Sequence, residues 1–309
     1  MSFNSLTITK TYHRDTYAAI SPTKPSLSQA GKTVLITGGG SGIGFEIARS
    51  FAKARASRII IVGRRAAVVD SAATKLRDEF NDSATEFIPR QGDIGDDSSV
   101  AALWDYLKSQ NILVDVLILN AAYLFPMAPD TLRMDKAEVM KAFDVNVGGN
   151  LLMSSKFVDQ SLRPKGHQLH LVNVSTGAIH MNPAPTQNPY ATSKAAFAAL
   201  LGRIADEHPV EDVQILSFHP GVLYSESASL YFDKNLFKWD EMALPADYAV
   251  WAASPEASWL HGRFVWAHWD VEELKSDKKF MDRLTTESGL LKVAVQGLTE
   301  VDLAAFMNQ

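Results

Sequence analysis

Tyr190 and Lys194 stand four residues apart in Asn188-Pro189-Tyr190-Ala191-Thr192-Ser193-Lys194. On a helix that spacing puts them on one face, a single turn apart. A phenol titrates near pH 10 in water, which makes it a poor acid or base at neutrality. An ammonium one turn away favours the phenolate and predicts a lowered value. Such a pair can give a proton to a carbonyl oxygen or take one from an alcohol. In isolation, Tyr-x-x-x-Lys is most often a solvated pair on a helix surface.

A second chemical feature lies upstream. Residues 37–44 read TGGGSGIG directly after the apolar run Val34-Leu35-Ile36. A phosphate loop of the Walker type needs Lys-Ser/Thr after its last glycine, but Gly44 is followed by Phe45-Glu46. The spacing G-x-G-x-x-G fails as well, because it requires glycine where Ile43 stands. The match is T-G-x-x-x-G-x-G, carried by Thr37, Gly38, Gly42 and Gly44. Glycines there permit a tight turn and a close approach of backbone to a pyrophosphate. The negative charge then meets the N-terminus of a helix beginning near Ile43. The bland alternative is a glycine turn that binds nothing.

Some twenty residues further on, dinucleotide sites read the adenosine ribose. An acidic residue at the end of the second strand selects NAD, whereas an arginine accommodates the 2′-phosphate of NADP. The segment here is Ile61-Val62-Gly63-Arg64-Arg65, without a carboxylate. Arg64 and Arg65 therefore predict NADP(H), since a guanidinium fork suits a phosphate. A solvated basic pair opening a helix is the alternative, although that is the unfavourable end of the dipole for cations.

The elements that must position these groups are legible as alternating patterns. Strands are expected at 34–37, 58–62, 86–89, 115–119, 168–174, 213–218 and 263–267. Helical spacing appears between them, as in Ile43, Ile47, Phe51 and Ala54, or Val100, Leu103, Trp104 and Leu107. Strand–helix alternation of this length predicts one doubly wound, Rossmann-like α/β domain. Its mostly seven-stranded parallel sheet would carry helices on both faces. The strands are almost continuously apolar, as strands covered on both sides should be. The domain is expected over residues 32–270. A polar arm precedes it (1–31), which Tyr12 and Tyr17 could pin to the surface or to a neighbouring subunit. A charged, then apolar, helical tail follows (271–309). Residues from about 223 to 244, rich in Tyr, Phe and Trp, read as a substrate loop inserted at the carboxyl end of the sixth strand.

Composition narrows the chemistry further. Of 309 residues, 46% are hydrophobic and 21% charged, and the net charge is −5. That balance points to neither nucleic acid nor an anionic membrane as a partner. There is no cysteine, so disulfides, thiolate catalysis and cysteine-ligated metals are excluded. The eight histidines show no His-Glu-x-x-His pattern or facial triad, and no metal site is expected. The first twenty residues lack the pattern of a secretory leader. No apolar run approaches the roughly 20 residues that span a bilayer. A cytoplasmic protein is expected.

Taken together, TGGGSGIG, Asn120-Ala121-Ala122 after the fourth strand, and Tyr190 with Lys194 resemble the short-chain dehydrogenase/reductase family. The resemblance runs from about Lys32 to Ala267 and keeps the family's order of motifs. It implies an oxidoreductase moving a hydride between a nicotinamide and a carbonyl or alcohol carbon. By that resemblance Tyr190 is the general acid/base, and Lys194 holds the nicotinamide ribose. Asn146, in Phe143-Asp144-Val145-Asn146, would support a water relay. The cofactor would lie on Gly38, Ser41, Gly42, Ile43 and Gly44, with Arg64 and Arg65 at the phosphate and Asp93 and Ile94 at the adenine. Asn120 and Ala121, then Pro220, Gly221, Val222 and Ser225, would complete its contacts.

The hydroxyl that orients the carbonyl is where this chain departs from the family. The segment Val172-Asn173-Val174-Ser175-Thr176-Gly177 puts Thr176 at the serine position, with Ser175 as the alternative through a shifted register. His180, Met181, Tyr224, Tyr231, Phe232 and Phe237 are candidates to face an apolar substrate, by loop composition. The expected substrate is a small-molecule ketone or alcohol, aromatic or polyketide-like, from specialised metabolism. Alternatives are an NADP-binding isomerase, dehydratase or cyclase using the same pocket, or an NADP sensor without turnover. The resemblance implies a homodimer or homotetramer.

Overall fold

Each apolar run forms a strand within two residues of its expected ends. The computed structural model describes residues 8–124, 128, 130–181, 183, 186–230 and 232–295. In chain order the elements are β1 (Thr33–Thr37), α1 (Gly42–Lys53), β2 (Arg58–Gly63), α2 (Ala66–Glu79), β3 (Glu86–Gln91) and α3 (Asp97–Ser109). Next come β4 (Val116–Leu119), α4 (Lys136–Phe143), α5 (Asn150–Val158), β5 (Leu169–Val174) and α6 (Asn188–Glu207). The chain continues with β6 (Val213–His219), α7 (Glu226–Ser229), α8 (Ala243–Ala252), β7 (Arg263–Trp266), α9 (Val271–Ser276) and α10 (Lys278–Thr286).

The seven strands form one sheet in the order β3-β2-β1-β4-β5-β6-β7, and every pairing is parallel. The expected doubly wound α/β fold is therefore observed. Leu35 of β1 aligns with Ile60 of β2 on one side and Leu117 of β4 on the other. Alternation along β1 sends Val34 and Ile36 into one core and Leu35 into another, because successive side chains leave opposite faces of a strand. The first core is closed by α1, α2 and α8, and the second by α3, α5 and α6. Fully buried aromatics such as Phe51 and Phe157 each contribute on the order of 2 kcal/mol by leaving water. Pro89 is tolerated because β3 is an edge strand.

The order reverses between β1 and β4, so a crevice opens beyond their carboxyl ends, where α/β sheets bind ligands. That crevice receives TGGGSGIG from one side and Asn120-Ala121-Ala122 from the other.

The arm over residues 8–31 is packed down rather than loose. Ile20 and Leu27 are fully buried in the α1–α8 core. Tyr17 donates its phenol to the carbonyl of Trp269 at 3.1 Å and accepts from the Val271 amide at 3.2 Å. The tail forms α9 and α10 as the helical pattern predicts, with Leu274, Phe280 and Leu284 joining the same core. Residues 1–7 and 296–309 lie outside the described residues. Among the described residues, no helix is long and apolar enough to cross a membrane.

Candidate active site

The glycine turn is built around Thr37 and Asn120. The Thr37 hydroxyl donates to the carbonyl of Ile118 at 3.2 Å and accepts from the amides of Asn120 and Ala121 at 3.0 Å each. The Asn120 side-chain amide donates to the carbonyls of Thr37 (3.0 Å) and Gly38 (3.2 Å). These bonds hold the ends of β1 and β4 at a fixed separation. Gly38 takes φ +67°, a left-handed conformation that favours glycine. A Cβ on Gly44 would lie 2.3 Å from the Gly38 carbonyl oxygen and 2.6 Å from Asn120 Nδ2. The first turn of α1 thus rides directly on the glycine turn, which no larger residue permits.

A cleft of about 320 Å³ opens over this turn. Its lining includes Gly38, Ser41, Gly42 and Ile43, together with Arg64, Asp93, Ile94, Asn120, Ala121 and Ser225. Ser41 precedes α1 without capping it through its side chain, which leaves the first amides of the helix without that partner. A glycine-floored cradle, uncapped helix amides and a lining arginine fit a dinucleotide phosphate. Gly44 and Arg65 are not in the cleft wall: Gly44 supports the turn from beneath, and Arg65 is an exposed residue preceding α2. Asp93 accepts from the Gly95 amide at 3.0 Å and receives its own fixed position from Ser99, whose Oγ takes the Asp93 amide at 2.9 Å.

The Tyr190–Lys194 pair sits on α6. Lys194 is 2% exposed and donates its Nζ to the carbonyl of Val174, the last residue of β5, at 2.6 Å. Burial pushes the Lys194 ammonium down to about 8. The Tyr190 phenol moves in the opposite direction to that expected from Lys194. Burial pushes it up to about 12, opposed by the Thr176 hydroxyl. Desolvation wins because the uncharged form of each group suits an apolar surrounding. The ammonium, engaged with Val174, does not offset it.

Thr176 is also the hydroxyl that receives the Ala178 amide, at 3.2 Å. Ser175 is different: its amide donates to Phe218 at 2.8 Å, while its Oγ is buried without a protein partner. Of the two candidate hydroxyls, the structure brings Thr176 to Tyr190.

Asn146 lies fully buried on a π-helical turn, Asp144–Gly149, that joins α4 to α5. Such turns interrupt regular helices frequently at functional sites. Its Oδ1 accepts from the Tyr123 amide at 2.7 Å, and its Nδ2 donates to the Tyr123 carbonyl at 2.9 Å and to Ser193 Oγ at 3.0 Å. Ser193 in turn donates to the carbonyl of Tyr190 at 2.9 Å. Tyr123 lines the cleft, so Asn146 ties the cofactor-shaped cleft to the helix that carries Tyr190. Tyr123 and Ser193 were not singled out from sequence, although the first directly follows Asn120-Ala121-Ala122 and the second lies inside the Tyr190–Lys194 window.

After β6, Pro220-Gly221-Val222 leads into the aromatic loop. Gly221 adopts φ +109°, and Ser225 accepts the Ala228 amide at 3.1 Å, capping α7 while its own O–H remains a donor. Pro220, Gly221 and Val222 do not line the cleft. His180 accepts from the indole of Trp266 at 3.0 Å, and burial lowers its pKa. Tyr224 packs on Trp239, and Phe237 packs on both Trp239 and Phe232, at centroid distances of 5.0–5.7 Å. Met181 is exposed, and Tyr231 lies outside the described residues. Among the described residues no three His, Asp or Glu side chains cluster as a metal site.

Comparison with known proteins follows the same geometry. Residues 32–235 match the family model described as short chain dehydrogenase. The short chain dehydrogenase/reductase nsrO of Aspergillus novofumigatus is 37% identical over 270 residues, covering 86% of this chain and 90% of that protein. Among solved structures, a 7α-hydroxysteroid dehydrogenase complexed with NADH and 7-oxo glycochenodeoxycholic acid superposes with a TM-score of 0.69 at 22% identity, covering 82% of this chain and 97% of its own. The RhlG/NADP complex of Pseudomonas aeruginosa gives 0.70 at 20% identity, covering 84% and 99%. At such identities these two structures share the fold, and their different cofactors leave the choice between NAD and NADP to local residues.

Proposed function

The chain belongs to the short-chain dehydrogenase family, whose members are nicotinamide-dependent oxidoreductases of C–OH and C=O groups, and we propose that it is an NADP(H)-dependent carbonyl reductase, reversible as an alcohol dehydrogenase. The observation that carries this reading is the placement of Tyr190 on the helix that Asn146 ties to the cleft, with the Thr176 hydroxyl acting on its phenol. The nicotinamide, when bound, supplies the hydride. The chain's own residues handle the oxygen. Tyr190 is protonated across the neutral range and can donate to a carbonyl oxygen that becomes an alkoxide. Thr176 orients that oxygen and fixes the phenol's direction. Lys194 holds a proton close to neutrality and stands one turn from Tyr190, placed to compensate charge left on the phenol.

Arg64 at the cleft wall, with no acidic residue in Ile61–Arg65, supports NADP(H) over NAD(H). The aromatic loop at 223–244 supports an apolar, aromatic or polyketide-like ketone as substrate. A homodimer or homotetramer accords with Met140 and Leu151, which are exposed on α4 and α5. The test is NADPH absorbance with a panel of ketones, comparing wild type with Tyr190→Phe. Consumption by wild type that falls about 1,000-fold in the variant supports the reading, a loss in the range of removed general-acid catalysis. Product without net NADPH loss would replace it with an isomerase, dehydratase or cyclase. Tight NADPH binding without any product would leave a sensor.

A further inference from the structure

We propose that the N-terminal arm positions the loop bordering this site, acting through a part-buried contact between Arg14 and Asp240. The inference rests on the reductase reading for its kinetic consequences, while its structural part stands alone.

The loop after β6 runs from Val222 to Asp240, which closes it twice. The Asp240 amide donates to the Val222 carbonyl at 2.8 Å, and one carboxylate oxygen accepts the Val222 amide at 2.7 Å. A Cβ on Gly221 would lie 2.8 Å from that same oxygen, so the carboxylate is pressed against the backbone following the sheet. Its side chain is 1% exposed. A carboxylate so deeply placed requires charged or hydrogen-bonding partners. His268 donates from Nε2 at 2.8 Å, and Arg14 donates from Nη1 to the other oxygen at 2.8 Å.

Arg14 comes from the arm, 226 residues away in sequence. It also donates to the carbonyl of Lys238 at 2.8 Å, and its own carbonyl accepts the Glu241 amide at 2.8 Å. The arm therefore brackets Asp240 on both sides along the chain. It is itself fastened elsewhere: Thr16 donates to Asp247 at 2.6 Å, and His13 bonds Asp270 at 2.8 Å. Arg14 is thus presented from a fixed backbone. At the other end of the linkage, Ser225 lines the cleft three residues after Val222. A Cβ on Gly42 would lie 3.9 Å from that of Ser225. The contact chain Arg14–Asp240–Val222–Ser225 ends against the glycine turn. Arg14 and Asp240 are positioning residues, since neither touches the cleft.

The test uses full-length Arg14→Ala, Arg14→Lys and, as a control on an exposed pair at the sheet edge, Arg58→Ala. Hydrogen exchange of peptides spanning 222–240 is measured with and without NADPH, alongside kcat and KM for a turned-over ketone. Arg14→Ala is expected to speed exchange in the loop about 10-fold and to raise KM for the ketone about 10-fold, with kcat within about threefold. Arg14→Lys should restore part of both, and Arg58→Ala should change neither. Wild-type exchange in the Arg14→Ala loop overturns the proposal. So does faster exchange spread evenly over the sheet, or a fall in kcat alone, because each marks a merely structural contact. Should Arg14→Ala not fold, the isosteric Asp240→Asn is read by the same criteria. If wild type reduces no ketone, the reductase reading fails while loop exchange still decides whether the arm positions the loop.

Discussion

Thr176, not Ser175, acts on the Tyr190 phenol and lowers its pKa against burial, although both hydroxyls stand at the end of β5. Adjacent residues leaving a strand point to opposite sides, so one can face α6 while the other is enclosed by the sheet. Thr176→Ala should lower kcat about 100-fold, the scale of one lost oxyanion-orienting donor. Thr176→Ser should stay within about tenfold of wild type, and Ser175→Ala within about threefold. Equal losses in the two alanine variants, measured by NADPH consumption, would remove Thr176 from its role.

Lys194 gives a pH signature in stability. Its folded-state value of about 8 lies below the ordinary 10.5, so between those values the unfolded chain binds more protons. Stability from this group therefore rises with pH across roughly pH 8 to 10.5, and its penalty is fully present at pH 7. The shift corresponds to about 3 kcal/mol. Lys194→Met removes the penalty, so without cofactor the variant should be more stable than wild type at pH 7. The gap should shrink towards pH 10. Denaturant unfolding at both pH values checks this, and a gap that grows with pH contradicts it.

Cofactor choice should follow Arg64. Replacing it by alanine is expected to cut the preference for NADPH over NADH about 10- to 100-fold, by loss of a charge-assisted phosphate contact. Arg65→Ala should have the smaller effect, because Arg65 is outside the cleft wall. Dissociation constants from nicotinamide fluorescence decide the point. An unchanged ratio in Arg64→Ala would falsify the NADP reading of this wall.

The seat of α1 on the glycine turn predicts a steric failure. Gly44→Ala places a methyl 2.3 Å from the Gly38 carbonyl, so the helix or the turn must move. Overpacking of this kind costs about 1–3 kcal/mol. Calorimetry should therefore show weaker dinucleotide binding together with a lower Tm. Wild-type affinity in Gly44→Ala would mean the turn has slack that its contacts do not indicate.

Much of this architecture is readable from short-range pattern. Apolar β-branched runs such as Arg58-Ile59-Ile60-Ile61-Val62 announce buried strands, and the glycine spacing announces its turn, because both depend on neighbours within a few residues. What escapes such reading depends on burial or on distant partners. Spacing places Lys194 beside Tyr190, yet the phenol's pKa moves up because desolvation is set by the surrounding fold. The arm reads as polar, since among its described residues Ala19, Ile20 and Leu27 alone are buried in the core, and Asp240 and Asp247, which receive it, lie more than 200 positions away. The π-turn that carries Asn146 has no local mark in Asp144-Val145-Asn146-Val147-Gly148-Gly149.

The arm's partners also set an order of assembly. Residues 8–31 leave the ribosome well before Asp240, Asp247 and Asp270. The His13–Asp270 contact alone closes a ring of 257 residues. Closing so long a ring is entropically costly until the intervening sheet has brought its ends together, and chains fold from the N-terminus during synthesis. Docking of the arm is therefore a late step, and the strands that carry the glycine turn can assemble before the latch on the loop over residues 222–240 exists.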